Sequence, residues 1–411
     1  MEKFKGPIAL ALSEGMTKLI GLILLPLITA SLSLEEFGVY ALFLVNYIFF
    51  MALYVAILNN FVLVRYFNRG GRVVFESRGA IFFNILFFLF LLLIFLPFSI
   101  IFDLWNYFLI FIISSFSCLI SQPAQIFLTI KQCRQEYSSY AKFSLVYIIC
   151  YAALAVFAFI IGLSNWYEFA LLIFLSHTIQ TAFLFFNEKR AVTAIIISRN
   201  RSLSEYVKHF RGLLANSIFG WARVNVDKYF VLTIIGSAAL ATYSLGFQLG
   251  AVIGLLNTIL IKILNPILFS SFKSQETQKA KKVTLLMLIA FILITLIYIA
   301  LVPYVVDWFF NDDYIDSVYI AQLVSAGYLL QVFVSIFGAV LFYERRNYLI
   351  SVLSIFSFLV LLLSLFSIFK LGLFNANNVA ICFVFSWLVH FLLTSYFALK
   401  EPLFKGFISN G

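Results

Sequence analysis

Charge is scarce in this chain. Asp, Glu, Lys and Arg make up 11% of its 411 residues, while 63% are hydrophobic and 51 are Phe. A water-soluble domain of this length cannot hide so much apolar surface, so a soluble fold is excluded and lipid is the expected solvent. Cysteine is scarce as well: Cys118, Cys133, Cys150 and Cys382 are scattered, with no spacing of a metal site or disulfide framework. No phosphate-binding loop, nucleotide-fold signature or metal motif is present, which argues against a concentrated catalytic constellation. Short alternating runs of about ten residues are missing too, which excludes a membrane β-barrel.

Long apolar runs take their place. Twelve are read at residues 7–31, 37–64, 79–102, 105–130, 140–163, 167–187, 211–235, 239–270, 283–305, 316–342, 347–369 and 379–399. A helix crosses a hydrocarbon core about 30 Å thick with roughly 20 apolar residues, so each run predicts one transmembrane helix. Lys3 and Lys5 resemble the basic start of a secretory signal, but the run from Pro7 to about Leu32 is too long for a signal core and is expected to remain as the first span.

The net charge of +10 would suggest nucleic acid in a soluble protein. Here its distribution speaks for topology. Lys3 and Lys5 precede the first span, and Arg65, Arg69, Arg72 and Arg78 follow the second. Lys131, Arg134 and Lys142 surround the next even gap, and Lys189, Arg190, Arg199, Arg201, Lys208 and Arg211 the one after. Lys273, Lys279, Lys281, Lys282, Arg345, Arg346, Lys400 and Lys405 complete the set. These are 23 of the 28 basic residues; the opposite loops hold only Lys370, and four lie inside spans. Basic loops stay on the cytoplasmic side, so both termini are expected there. The outer loops are short, the largest lying around Asp307–Ser317.

The two halves echo one another. Leu34-Glu-Glu-Phe-Gly-Val-Tyr40 falls on Ser237-Ala-Ala-Leu-Ala-Thr-Tyr243 at an offset of 203 residues. In both places a long span ends, a tight turn follows, and a small residue two before a Tyr opens the next span. The expected domains are therefore a six-helix bundle over 1–187, a cytoplasmic linker over 188–210 and a second six-helix bundle over 211–411. An even number of spans per half relates the two by an axis along the membrane normal. The fold class is all-α and polytopic, with twelve transmembrane helices in two pseudo-symmetric bundles around a central cavity. The linker contains Ala194-Ile-Ile-Ile197 between Arg190 and Arg199, which suits either a helix lying on the inner leaflet or a solvated connection.

The charges stranded inside spans point to function. Glu14 and Lys18 lie four apart in the first span, as do Arg223 and Asp227 in the seventh, with Lys228 directly after. Four apart is neighbour spacing on a helix. Each charge near the bilayer centre costs about 2.5–3.5 kcal/mol on insertion scales, so these groups must be paired or face water. Glu14, Thr17, Lys18 and Gly21 share one helical stripe; Asn216, Gly220, Arg223 and Asp227 share another. A cavity between the halves would serve both stripes, and purely structural pairing is the plain alternative. Lys228 either presents a net positive charge or snorkels. Lys262 either snorkels to the inner headgroups or joins Gln248 on a polar face. Gly246, Gly250 and Gly254 predict close helix packing, and Pro26, Pro123 and Pro266 predict kinks. His177, His209 and His390 read as core or interfacial residues. The Asp312-Asp313 pair lacks calcium-loop spacing.

Several of these segments resemble those of bacterial polysaccharide and O-antigen repeat-unit flippases. They are Leu12-Ser-Glu-Gly-Met-Thr-Lys-Leu-Ile-Gly21 through Pro26 into Leu34-Glu-Glu-Phe-Gly-Val-Tyr-Ala-Leu42, then Asn225-Val-Asp-Lys-Tyr-Phe-Val-Leu232, then Asp307-Trp-Phe-Phe-Asn-Asp-Asp-Tyr314 with Glu344-Arg345-Arg346. The pattern runs through the whole chain in order. It departs at Asn311, where that family often has Gly, and at Lys228, where it has Arg; Lys keeps the charge and loses the bidentate fork.

The resemblance implies an inner-membrane exporter of the multidrug/oligosaccharidyl-lipid/polysaccharide superfamily, not an enzyme. Its cargo would be an undecaprenyl-diphosphate-linked oligosaccharide, moved from the inner to the outer leaflet by alternating access. Expected diphosphate contacts are Lys18, Arg223 and Lys228, with Lys262 beside them. Glu14 and Asp227 would hold those cations or accept a coupling proton or sodium ion. No cofactor or metal is expected. Expected partners are membrane lipids, the lipid-linked oligosaccharide, and a polysaccharide polymerase with its chain-length regulator. A multidrug exporter of the same fold is the rival. A polymerase or ligase is a further one, disfavoured because such enzymes carry a large outer loop with catalytic Arg or His.

Overall fold

In the computed structural model the described residues are 19–69, 73–189, 203–274 and 277–401. Among them the regular structure is helical throughout. Helix α1 (Leu25–Ser31) follows a helical stretch from Leu19 that is interrupted at Leu24. Pro26 stands at its first positions, where its missing N–H costs least. Ser33 caps α2 (Leu34–Phe50) by accepting the Glu36 N–H at 3.2 Å. A π-helical segment, Met51–Ala56, widens the helix before α3 (Ile57–Arg69). Then come α4 (Val73–Ile101), α5 (Trp105–Cys133), α6 (Tyr137–Ile160) and α7 (Trp166–Asn187). The second series is α8 (Leu203–Ile234), α9 (Ser237–Ser274), α10 (Thr277–Phe309), α11 (Ser317–Tyr343), α12 (Asn347–Lys370) and α13 (Ala376–Lys400).

Ten helical stretches among the described residues are long and apolar enough to cross a membrane, so the chain is a multi-pass membrane protein. About half of the first predicted span, residues 7–18, lies outside the described residues. The seventh is α8, whose apolar run is broken by Arg223, Asp227 and Lys228. Pro123 sits inside α5; Pro266 lies within α9, and Pro97 and Pro303 lie inside α4 and α10.

The chain divides into two compact units, Met1–Asn225 and Val226–Gly411, the division falling within α8. In the first unit α5 is the hub, packing on α2, α3, the π segment, α4, α6 and α7. The middle of its buried face is small and polar, with Ser114, Ser117, Cys118, Ser121 and Gln122, between apolar ends that include Phe108, Phe111, Ile126 and Phe127. The serines turn their hydroxyls back to carbonyls of their own helix, as Ser114 does to Ile110 at 2.6 Å, so these hydroxyls stay satisfied where neighbours approach. In the second unit α11 is the hub, packing on α9, α10, α12 and α13. The glycine face predicted on α9 is pressed against it. A Cβ at Gly246 would lie 2.6 Å from the Ser317 carbonyl oxygen, and one at Gly250 would lie 2.7 Å from Val324. The least buried spans are α4 and α10, where 22% and 17% of the most apolar stretch is buried.

The repeat extends well past the segment that the sequence offset marks. Helices α5 and α11 both end on a left-handed residue, Gln135 (φ 59°) and Arg345 (φ 58°). Helices α6 and α12 end likewise at Gly162 (φ 75°) and Gly372 (φ 69°). Each turn closes by a bond from the next N–H back over the last turn of helix: Glu136 to Lys131, Arg346 to Leu341, Leu163 to Ala158 and Leu373 to Ile368. Asn165 and Asn375 then cap α7 and α13. These pairs all stand 210 residues apart. The buried faces of α7 and α13 agree at the same offset, including Ala170 with Ala380 and Ser176 with Ser386.

A non-glycine residue in the left-handed region carries a backbone cost that glycine avoids. Gln135→Gly is therefore expected to stabilise the α5–α6 turn by about 0.5–1 kcal/mol, read as a rise in the thermal unfolding midpoint of the purified protein.

Candidate functional site

The second unit buries an ion pair. Asp227 and Lys228 are adjacent on α8 and are 0% and 4% exposed. The Lys228 Nζ lies 3.7 Å from Asp227 Oδ1, which also accepts the Lys228 backbone N–H at 3.0 Å. Tyr243, on the first turns of α9, donates its hydroxyl to the other carboxylate oxygen at 2.5 Å. The ammonium sits 3.4 Å from the centroid of the Phe247 ring, a cation–π contact in a desolvated setting. Phe383 and Tyr328 pack edge-on and tilted around Phe247 and each other. Tyr243 is the residue singled out by the repeat, and its counterpart Tyr40 is equally buried.

The sequence left Lys228 between presenting a net positive charge and snorkelling; in the structure its ammonium lies beside Asp227 and over the Phe247 ring. Consecutive residues on a helix point about 100° apart, but the ammonium lies between the Asp227 carboxylate and the Phe247 ring, and the Tyr243 phenol holds the carboxylate in turn. Asp227 thus has two partners in its own unit.

In the first unit, Arg223 is buried on α8 at 8% exposed. Two residues earlier on the same helix, the Trp221 indole N–H donates to the Val45 carbonyl at 3.1 Å and its ring lies 4.7 Å from Phe49. Asn216 and Gly220, on the predicted stripe with Arg223, are exposed, and no neighbouring atom comes within 4 Å of a Cβ built at Gly220. The stripe therefore passes from open at 216 and 220 to buried at 223 and 227. Glu14 and Lys18 lie outside the described residues. Lys262 lies on α9, and its side chain is outside what is described.

A second polar group in this unit escaped the sequence reading of single residues. The Tyr47 hydroxyl and His177 Nε2 are 2.6 Å apart, and the Tyr147 ring stacks on the imidazole at 4.4 Å. The hydroxyls of Tyr40 and Tyr151 are 3.1 Å apart. His177 Nδ1 is buried with no hydrogen-bond partner among the described residues; both polar atoms of Gln122, on α5, are buried and unpaired in the same way. A signal existed in the sequence. Tyr147 and Tyr151 are spaced i, i+4, and His177 and Gln180 i, i+3, on otherwise apolar spans, so each pair shares a face.

No metal is in view: among the described residues no group of His, Cys, Asp or Glu is arranged to hold one.

No protein-family model matches the sequence, and no curated protein matches it. Solved structures do. An inward-facing multidrug resistance MATE family transporter of the MOP superfamily matches at a TM-score of 0.69 and 14% identity, over 95% of this chain and 97% of that one. The lipid II flippase MurJ in an inward closed conformation matches at 0.69 and 12% identity, over 98% of this chain and 89% of that one. A Vibrio cholerae MATE transporter matches at 0.58 and 12% identity, over 98% and 97%. At such identities the likeness speaks for the fold, and the fold of this chain is the one shared by MATE transporters and MurJ.

Proposed function

We propose that this protein is a flippase that carries an undecaprenyl-diphosphate-linked oligosaccharide, an O-antigen or capsule repeat unit, from the inner to the outer leaflet of a bacterial inner membrane by alternating access. The supporting observation is a fold shared with a lipid II flippase along nearly the whole chain, combined with an excess of positive charge inside the apolar segments. Four cations, Lys18, Arg223, Lys228 and Lys262, stand there against two acids, Glu14 and Asp227.

The physical task is to move a diphosphate and its sugars past hydrocarbon. Cations fixed inside the membrane replace the lost hydration of the diphosphate, and the prenyl tail stays in lipid. Arg223 is the leading diphosphate contact, because its planar fork matches phosphate oxygens bidentately. Lys228 would join only after leaving Asp227, which then takes a coupling proton or sodium ion; Glu14 plays the same part for Lys18. A polysaccharide polymerase and its chain-length regulator are the partners this transport serves.

The multidrug exporter is the second reading, because MATE transporters match as well as MurJ does. A carrier for cationic drugs calls for intramembrane acids, and here bases outnumber them. In a deletion strain, surface polysaccharide is expected to be lost and drug sensitivity unchanged. Restoring the gene as Arg223→Glu should give normal membrane levels with surface polysaccharide reduced about tenfold or more. Full display with Arg223→Glu contradicts the role of that residue, and drug hypersensitivity with normal polysaccharide contradicts the flippase reading. Glycan lengthening by the purified protein would instead mark an enzyme.

A further inference from the structure

The first unit has a second cationic feature, away from the buried charges. A cleft of about 440 Å³ lies between the end of α3 and the start of α8, lined by Phe61, Arg65, Glu205, Lys208, His209 and Leu213 among others. Its volume is within the range of small-molecule sites, about 300–1,000 Å³. Arg65 is ion-paired with Glu205 and lies over the Phe61 ring, 5.2 Å from its centroid. His209 meets the same ring edge-on at 5.5 Å, and its Nε2 is buried without a hydrogen-bond partner among the described residues. Lys208 is exposed at the rim. No neighbouring atom lies within 4 Å of a Cβ built at Gly212, so the cleft is open on that side.

We propose that this cleft binds a phosphate-bearing lipid headgroup, and that Glu205 holds the place of the phosphate against Arg65. A guanidinium presents the same two-donor fork to a carboxylate and to a phosphate, so Glu205 is a built-in stand-in for the anion. A phosphate carries more charge and more acceptor oxygens than the carboxylate it displaces. Lys208 supplies a second cation, and His209 supplies a ring nitrogen free to bond an oxygen. Burial, and then the Arg65 charge, hold the His209 imidazole below the ordinary histidine range. The apolar half of the ligand is equally provided for. Val64 and Leu213 line the cleft, and Leu63, Val64 and Phe67 are exposed on α3 beside it. Cations at the end of a membrane-spanning helix, next to bare apolar surface, match an amphiphile with an anionic head.

The test uses the full-length protein in phosphatidylcholine nanodiscs, titrated separately with farnesyl diphosphate, short-chain phosphatidylglycerol and inorganic pyrophosphate. Glu205→Gln removes the competing carboxylate and should tighten binding of the lipid probes about fivefold, whereas Lys208→Glu should weaken it about tenfold and Lys208→Arg should restore it. Both side chains reach solvent, so these variants keep the fold, which circular dichroism verifies. The tighter of the two lipid probes identifies the source of the headgroup as prenyl carrier or membrane phospholipid. Affinities unmoved by Glu205→Gln and Lys208→Glu overturn the site, and pyrophosphate binding as tightly as either lipid probe overturns its lipid character. Because binding is read without transport, a failure here leaves the flippase reading untouched, and a cargo other than a lipid-linked sugar leaves the cleft untouched.

Discussion

Asp227→Asn is expected to keep the protein from accumulating in the membrane. It leaves the Lys228 ammonium buried against Phe247 with its carboxylate removed, and weakens the hydroxyl contact from Tyr243. Stripping one partner from a buried pair costs about 3–5 kcal/mol, a large share of the net stability of most domains. The paired change Asp227→Asn with Lys228→Met should recover most of that loss, because the uncompensated charge is gone and a flexible apolar chain fills the same space. Membrane levels and thermal unfolding of the single and double variants check this. The double variant also separates two roles. If Lys228 only ties α8 to α9, transport returns with stability; if it also meets the diphosphate, the double variant is folded and slow.

Gly246→Leu should be as damaging for a different reason. The added Cβ would meet the Ser317 carbonyl oxygen at 2.6 Å and the Ile320 side chain at 2.8 Å, so α9 and α11 would have to part along their shared face. The Ser317 contact is backbone and cannot swing aside, and overpacking on this scale costs more than about 3 kcal/mol. Gly220→Leu is the control. It adds the same side chain where no neighbour lies within 4 Å, and it should fold normally. Comparable unfolding midpoints for both leucine variants would refute the packing of α9 on α11.

Much of the fold is written in the order of apolar runs and basic gaps, because the bilayer permits so few backbone solutions. With unsatisfied N–H and C=O groups excluded from lipid, a run of 20 apolar residues has to be a helix. The repeat is only partly visible. Tyr40 and Tyr243 mark it at an offset of 203, whereas the turns after α5 and α11 and the caps of α7 and α13 match at 210. A single offset misses the second set. At Gln135 and Arg345 the left-handed turn is made without glycine, so the residue type does not announce it.

The site was less legible. Helical spacing brings Arg223, Asp227 and Lys228 to notice, but not the direction in which a long lysine stem settles. The Phe247 ring that receives it is one of 51 phenylalanines. The Tyr47–His177 contact joins residues 130 positions apart, and only the packing of the bundle brings them together.

The most direct measurement is transport in proteoliposomes loaded with a fluorescent short-chain prenyl-diphosphate oligosaccharide. Wild-type protein should move it between leaflets, and Arg223→Glu protein, inserted to the same level, should not. Equal transport by the two, or transport of a cationic drug with none of the prenyl-diphosphate sugar, would contradict a lipid-linked glycan carried by intramembrane cations.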